Sequence, residues 1–223
     1  MAFATFDLDG TLYSGHIVQG VARHHWEHRV KRVLLCFYLA THVPLWPLWK
    51  LGLLSESTAR ELWLRDMAWT IRGWTPDEAA LASAWIAQQY VLPLVRSDVL
   101  DRLREHQARG HRVIIVSGTL SPLLEAIGRV LGVVETVGTP TVIKAGRYTG
   151  ACELPTCQGP GKVLRLEAHL QSDGEVPWNE SYAYADSYVD LTLLERVGHP
   201  VAVYPDPKLA AQARSHGWEI LGE

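Results

Sequence analysis

The sequence has no surplus of either charge and little cysteine. Its 21 Lys and Arg stand against 24 Asp and Glu, a formal net charge of -3 with histidine neutral. So slight an acidity leaves no electrostatic footprint for nucleic acid. Cys36, Cys152 and Cys157 make no even disulfide set, and Cys152 and Cys157 lack the close Cys or His partners of a zinc ribbon. No basic segment precedes the first apolar run, as it would in a secretory signal. A reducing, cytoplasmic setting is therefore expected. Repeats and low-complexity tracts are absent too. What remains is an ordinary globular composition, 48% hydrophobic over 223 residues, enough for one sizeable core with a smaller insert.

Tryptophan, by contrast, is plentiful, with nine copies. Several fall in VLLCFYLATHVPLWPLWKLGLL (33–54), which carries no formal charge from Val33 to Trp49. A bilayer-spanning helix needs roughly 20 apolar residues, and His42, Pro44 and Pro47 interrupt this run. It reads as two short helices about a proline turn, packed as the core of an insert. Contact with a membrane or a partner through this Trp-rich stretch is the lesser alternative. RHHWEHRVKR (23–32) reads as a solvated basic helix face rather than a metal site: His24 and His28 share a face but have no carboxylate or Cys support.

Residues 3–8 form a predicted strand, and from about 14 to 96 apolar residues recur at helical spacing. Helix and strand then alternate. SDVLDRLREHQARG has Ser97 as its expected N-cap, HRVIIVS is a strand covered on both faces, and SPLLEAIGRVLG has Ser121 as cap with Pro122 first in the helix. TVIKAGRYTG suggests a hairpin turning at Ala145-Gly146. A helix opens near Lys162, and SYAYAD, PVAVYPD and WEIL are strands separated by helices. This pattern predicts an α/β fold, a Rossmann-like doubly wound core with a mainly parallel sheet. The core is residues 1–13 and 97–223, and residues 14–96 are an inserted all-helical domain.

Ligands of such a sheet bind beyond the carboxyl ends of its strands. There the first strand ends on Asp7 and Asp9, which period two puts on one side. The VIIVS strand ends on Ser117 and SYAYAD ends on Asp186. Carboxylates from two strands suit Mg²⁺, which prefers hard oxygen ligands. A carboxylate can also attack phosphorus, while a second acid protonates the leaving alcohol and later activates water. Ser117, the N–H groups after it and Lys162 would balance phosphoryl charge. GPGKV is not a P-loop, because Val163 stands where Ser or Thr should be.

FDLDGTL, VIIVSGT, the Gly161-Lys162 pair and YADSYVDLTLL, in this order, resemble the four motifs of the haloacid dehalogenase superfamily of phosphohydrolases. The helical insert after the first motif resembles the C1-capped branch, subfamily IB, that includes phosphoserine phosphatase. The resemblance implies that Asp7 is the nucleophile, that Asp9 is the general acid/base and lends its carbonyl to Mg²⁺, and that Gly10 and Thr11 shape the turn. It further implies that Ser117 and the Gly118 amide bind phosphoryl oxygens, that Lys162 neutralises charge, that Asp186 ligates Mg²⁺ and that Asp190 orients Asp186 or a metal-bound water. The helical block would be a lid over a small phosphomonoester.

Two positions depart from the branch. His16 stands where phosphoserine phosphatases carry a Glu for the substrate ammonium, and Val189 replaces the Asn of their fourth motif. A histidine cannot replace that carboxylate, so phosphoserine is not the expected substrate. Arg65 is the favoured cap arginine for a substrate anion, ahead of Arg60 and Arg72. A phosphotransferase or phosphomutase, a histidinol-phosphate phosphatase, and a non-catalytic membrane- or protein-binding scaffold are the alternatives. A true dehalogenase is disfavoured, because it needs no acid at Asp9. The oligomeric state has no sequence signal.

Overall fold

In a computed structural model that describes residues 1–171 and 176–222, β1 (Phe3–Phe6) leads straight into a helical insertion. This comprises α1 (Ile17–Glu27), α2 (Arg32–His42), α3 (Leu45–Lys50), α4 (Glu56–Asp66), a 3-10 turn Met67–Ile71 and α5 (Pro76–Ile86), which runs on through irregular turns to Leu94. Thr75 and Glu78 close a reciprocal capping box at the start of α5, with Pro76 in its first turn. The chain then alternates through α6 (Ser97–Ala108), β2 (Arg112–Leu120), α7 (Ser121–Leu131) and β3 (Glu135–Thr139). The antiparallel pair β4 (Thr141–Lys144) and β5 (Arg147–Cys152) follows, turning at Ala145-Gly146 as expected. Last come α8 (Pro160–Leu170), β6 (Tyr182–Ala185), α9 (Leu191–Leu194), β7 (His199–Val203), α10 (Pro207–His216) and β8 (Glu219–Leu221).

Six strands pair in the order β3-β2-β1-β6-β7-β8, and each pairing is parallel. Strand periodicity divides the core in two. Ala4, Phe6, Val113, Ile115, Tyr184 and Val201 face one layer with Leu103 of α6 and Leu124 of α7. Phe3, Ile114, Val116, Ala183 and Ala202 face the other, with Leu166 of α8, Leu194 of α9 and Leu209 of α10. Burial on both faces is what the unbroken Val/Ile run of β2 requires. The result is the doubly wound core with a helical cap insertion.

Several local expectations fail, each for a reason visible in the packing. Ser97 does not cap α6; Arg96 takes that position, fixed by its N–H to Leu12 O (3.0 Å) and its guanidinium to Gly10 O (3.2 Å). Ser121 is the first residue of α7 rather than its cap, because β2 runs on to Leu120 and passes directly into the helix. The 33–54 run does form two helices about Pro44, but it is not the core of the insertion. α2 buries only Leu35, Tyr38 and His42, and α3 buries nothing. No helix among the described residues is long and apolar enough to cross a membrane.

The histidines of α1 are not a solvated face either. His24 and His25 are buried, since α5 and the turn before it lay Trp85 and Trp74 against their rings at 5.3 and 5.2 Å. Only His28 of the three stays exposed, stacked on His24 at 4.5 Å. In the core, His106 of α6 is buried beneath Tyr184, whose hydroxyl lies 2.9 Å from Nε2. Burial pushes both His24 and His106 down from 6.5 to about 4, helped by the neighbouring His25 and His111 respectively.

A histidine whose folded pKa is depressed stabilises fully above its unfolded pKa and loses that contribution as pH falls toward the folded value. The slope is at most about 1.4 kcal/mol per pH unit for each group. The Tm difference between wild type and His106→Gln is therefore expected to be largest above pH 7 and to shrink toward pH 5. Calorimetry across that range checks this, and a difference independent of pH would contradict a neutral buried His106.

Candidate active site

β1 and β6 are neighbours at the point where the strand order reverses, the position at which such sheets open a crevice. The residues following them are Asp7 and Asp186. The Asp7 N–H donates to Tyr184 O at 2.9 Å, prolonging the sheet by one step. The chain then turns through Gly10 at φ +82°, where a Cβ would lie 2.3 Å from Asp186 Oδ2. Glycine is thus required twice over, for the left-handed backbone and for the close approach. The buried Thr11 hydroxyl lies 3.2 Å from Asp186 Oδ1 and 3.4 Å from Asp7 Oδ2, so its single proton serves both acids.

Lys162, in the first turn of α8, reaches in from the other side. Its Nζ is 2.5 Å from Asp7 Oδ1 and 2.7 Å from Asp190 Oδ2, and both Lys162 and Asp190 are buried. Burial opposes the ammonium, but Asp190 and Asp7 outweigh it and hold Lys162 protonated, its pKa raised above the ordinary lysine value. The acids share one cation and cannot all be satisfied by it. Burial lifts Asp7 to about 7 despite Lys162, with Asp190 adding repulsion. Burial, then repulsion from Asp7 and Asp190, also lifts Asp186 to about 7.

Asp9 is held apart from this cluster. Its Oδ1 accepts the Tyr13 hydroxyl at 2.5 Å, and its carboxylate accepts the Ile17 N–H, at 3.1 and 3.2 Å, where α1 begins. Burial raises its pKa to about 6 against those two hydrogen bonds. A carboxyl balanced near neutrality can both give and take a proton.

Ser117 and Gly118 lie where the β2–β3 register shifts between Val116 and Leu120. The Ser117 hydroxyl donates to Thr119 Oγ1 (3.1 Å) and accepts the Thr119 N–H (3.2 Å), so it is turned along its own strand. A Cβ on Gly118 would meet Leu64 Cδ1 of α4 at 2.5 Å. One turn earlier on α4, Glu61 accepts the Thr156 hydroxyl at 2.5 Å, in the loop before α8. The insertion therefore already rests on the core beside the acids.

Two expected residues make no side-chain hydrogen bond to Asp7, Asp9, Asp186 or Asp190 among the described residues. His16 is exposed as the N-cap of α1. Arg65 closes on its neighbour Asp66 through Nε (2.7 Å) and Nη2 (2.9 Å), and Asp66 also meets buried His42 at 3.2 Å. Conversely, Tyr13, Glu61 and Arg96 are site contacts that the sequence reading did not single out. For Tyr13 a signal existed, since it lies four residues after Asp9.

Among the described residues no three His, Cys, Asp or Glu side chains form a ready metal cluster. The donors that do converge are hard oxygens, from Asp7, Asp186 and Thr11, with more carboxylate charge than one lysine can neutralise. That chemistry fits a hard divalent cation and not a soft one.

A protein of Mycobacterium tuberculosis named "probable phosphatase" is 35% identical over 131 residues, 59% of this chain and 45% of its own length. A histidinol-phosphatase of Neisseria meningitidis is 31% identical over 60% of this chain and 61% of its own. This chain thus spans only about half of the first relative and three-fifths of the second. A solved structure from Bordetella pertussis Tohama I, of unknown function, superposes with a TM-score of 0.83 at 28% identity, covering 99% of this chain and 98% of that one. Residues 4–195 match the haloacid dehalogenase-like hydrolase family, from the strand before Asp7 to the helix after Asp190, and the chain belongs to that family.

Proposed function

We propose that this chain is a Mg²⁺-dependent phosphomonoester hydrolase that works through a phosphorylated Asp7. The observation that carries the reading is the setting of Asp7, with Oδ1 on the Lys162 ammonium and Oδ2 within reach of the Thr11 hydroxyl that also bonds Asp186. One oxygen is anchored and the other is left to attack. Asp7, the Asp9 carbonyl and Asp186 would hold the cation, with Asp190 orienting the set through Lys162. Bound Mg²⁺ supplies positive charge against the phosphoryl oxygens.

In the first half-reaction a carboxylate oxygen of Asp7 forms a bond to phosphorus and the bond from phosphorus to the leaving oxygen breaks. Protonated Asp9 gives its proton to that oxygen. In the second, Asp9 takes a proton from water, the water oxygen bonds to phosphorus, and the bond to Asp7 breaks to release phosphate. Ser117, after turning from Thr119, and the Gly118 N–H would hold phosphoryl oxygens beside Lys162. Residues 1–13 and 97–223 are the catalytic core in this account, and residues 14–96 the lid. Leu64 on Gly118 and Glu61 on Thr156 support that division.

The substrate is a small organic phosphate other than phosphoserine, because exposed His16 offers no carboxylate to an ammonium. The Neisseria relative named as a histidinol-phosphatase makes histidinol phosphate, which carries an ammonium as phosphoserine does but no carboxylate, a second test of that reading.

Phosphate release from a panel of histidinol phosphate, phosphoserine, phosphoethanolamine, sugar phosphates and an aryl phosphate is expected with Mg²⁺ and to be abolished by EDTA. Phosphoserine should rank low. Release unaffected by EDTA would overturn the metal assignment, and phosphoserine in first place the reading of His16.

Tyr13→Phe, which keeps the buried ring but removes the hydroxyl on Asp9, is expected to lower kcat/KM, which reports the first half-reaction alone, about tenfold for alkyl phosphates. For an aryl phosphate such as p-nitrophenyl phosphate, whose leaving group needs no proton, the loss should be no more than about twofold. Steady-state rates across leaving groups read this directly. Equal losses on both classes would show that Tyr13 does not position the acid.

A further inference from the structure

A surface helix of a globular protein shows one apolar face and one polar face, and the segment after α1 does not. α2 buries Leu35, Tyr38 and His42 against the insertion, yet it also presents Val33 at 83% exposure and Phe37, whose ring leans on Trp69 at 5.6 Å, at 56%. α3 (LWPLWK) buries no residue at all. Trp46 is 61% exposed, and Leu51 and Leu53 just beyond are each 73% exposed. Apolar side chains in such density on a free surface mark a binding face.

The charges within this segment are of one sign. No Asp or Glu occurs between Glu27 and Glu56, whereas Arg29, Lys31, Arg32 and Lys50 all fall there. Two of these cations lie over tryptophan rings. The Arg32 guanidinium is 4.6 Å from the Trp26 ring centre, and Lys50 Nζ is 4.7 Å from Trp49 and 5.5 Å from Trp46. Apolar side chains beside Trp-stacked cations suit an interface between hydrocarbon and an anionic layer. A second copy of this chain would not suit it, because a self-paired face would set the basic rim against itself with no acid in the segment to answer it.

We propose that α2, α3 and the turn after them dock the chain peripherally on an anionic lipid bilayer. Trp46, Leu51 and Leu53 enter the acyl boundary, and Arg29, Arg32 and Lys50 meet the headgroup charge. No spanning helix is needed, because an apolar face lying in the interface plane is sufficient. The inference does not depend on the proposed chemistry.

The test is flotation of the full chain with vesicles of phosphatidylglycerol and phosphatidylcholine, beside vesicles of phosphatidylcholine alone. Wild type is expected to float with the anionic vesicles, at least tenfold more weakly with the neutral ones, and less as salt rises from about 0.05 to 0.5 M. The triple variant Trp46→Ser, Leu51→Ser, Leu53→Ser and the double variant Arg29→Glu, Lys50→Glu should each lose about tenfold or more. These side chains lie outside the core, so circular dichroism and any phosphate release in solution should be unchanged. The proposal is overturned by absence of flotation with anionic vesicles, by equal flotation with neutral ones, or by variants that float like wild type. A lipid-free dimer that dissociates in the triple variant, seen by sedimentation velocity, together with no vesicle binding, would assign the face to a second copy instead.

Discussion

Lys162 lies buried between Asp7 and Asp190, at 2.5 and 2.7 Å, and an ammonium so placed is tolerable only while both contacts persist. Removing one partner from a buried pair typically costs about 3–5 kcal/mol, because the other charge is stranded. The elements that deliver these three groups are therefore coupled: the end of β1, the start of α8 and the 3-10 turn after β6. Asp186 joins them through the Thr11 hydroxyl, across a turn that only glycine at position 10 permits. The same arithmetic leaves the cluster short of positive charge, since one ammonium faces more than one carboxylate. Burial first, and repulsion among the acids after it, push Asp7 and Asp186 toward neutrality. In the proposed reading, a cation and a phosphoryl group together would offset this imbalance at the mouth of the sheet.

Much of this was legible in the sequence, because strand ends and strand order are written in short-range pattern. The Val/Ile run of β2, the acids directly after two apolar strands and the alternation beyond residue 97 gave the doubly wound core and the edge where Asp7, Asp186 and Lys162 meet. β3 was not legible. ETVGT carries a Glu, two Thr and a Gly in five residues, and pairing with β2 makes it a strand. Ser97 and Ser121 looked like helix caps by residue type, but backbone ties to Leu12 and the continuation of β2 decided the starts. His24 and His25 looked solvated in a basic run, and only the fold shows Trp74 and Trp85 closing over them. Each of these misses is a tertiary contact overriding a local preference.

The insertion is tied to the site by contacts of the same long-range kind. Tyr38 of α2 donates to Trp63 O at 2.8 Å, and His42 meets Asp66, so the inner face of α2 fixes α4. α4 in turn lays Leu64 on Gly118 and Glu61 on Thr156. Arg65 serves this scaffold by closing on Asp66. At the other end of the insertion, Ile17 and Tyr13 hold Asp9. The helical insertion is thereby anchored to the core both at its entry and at its fourth helix.

The central claim is that Asp7 carries the phosphoryl group, and the most direct measurement traps it there. Borohydride added during turnover of a phosphomonoester reduces an aspartyl phosphate to homoserine, which peptide mass mapping locates in the chain. The account predicts homoserine in place of Asp7, dependent on substrate and absent from the Asp7→Asn variant. Turnover that continues with no homoserine, or with homoserine in place of a different acid, would contradict it.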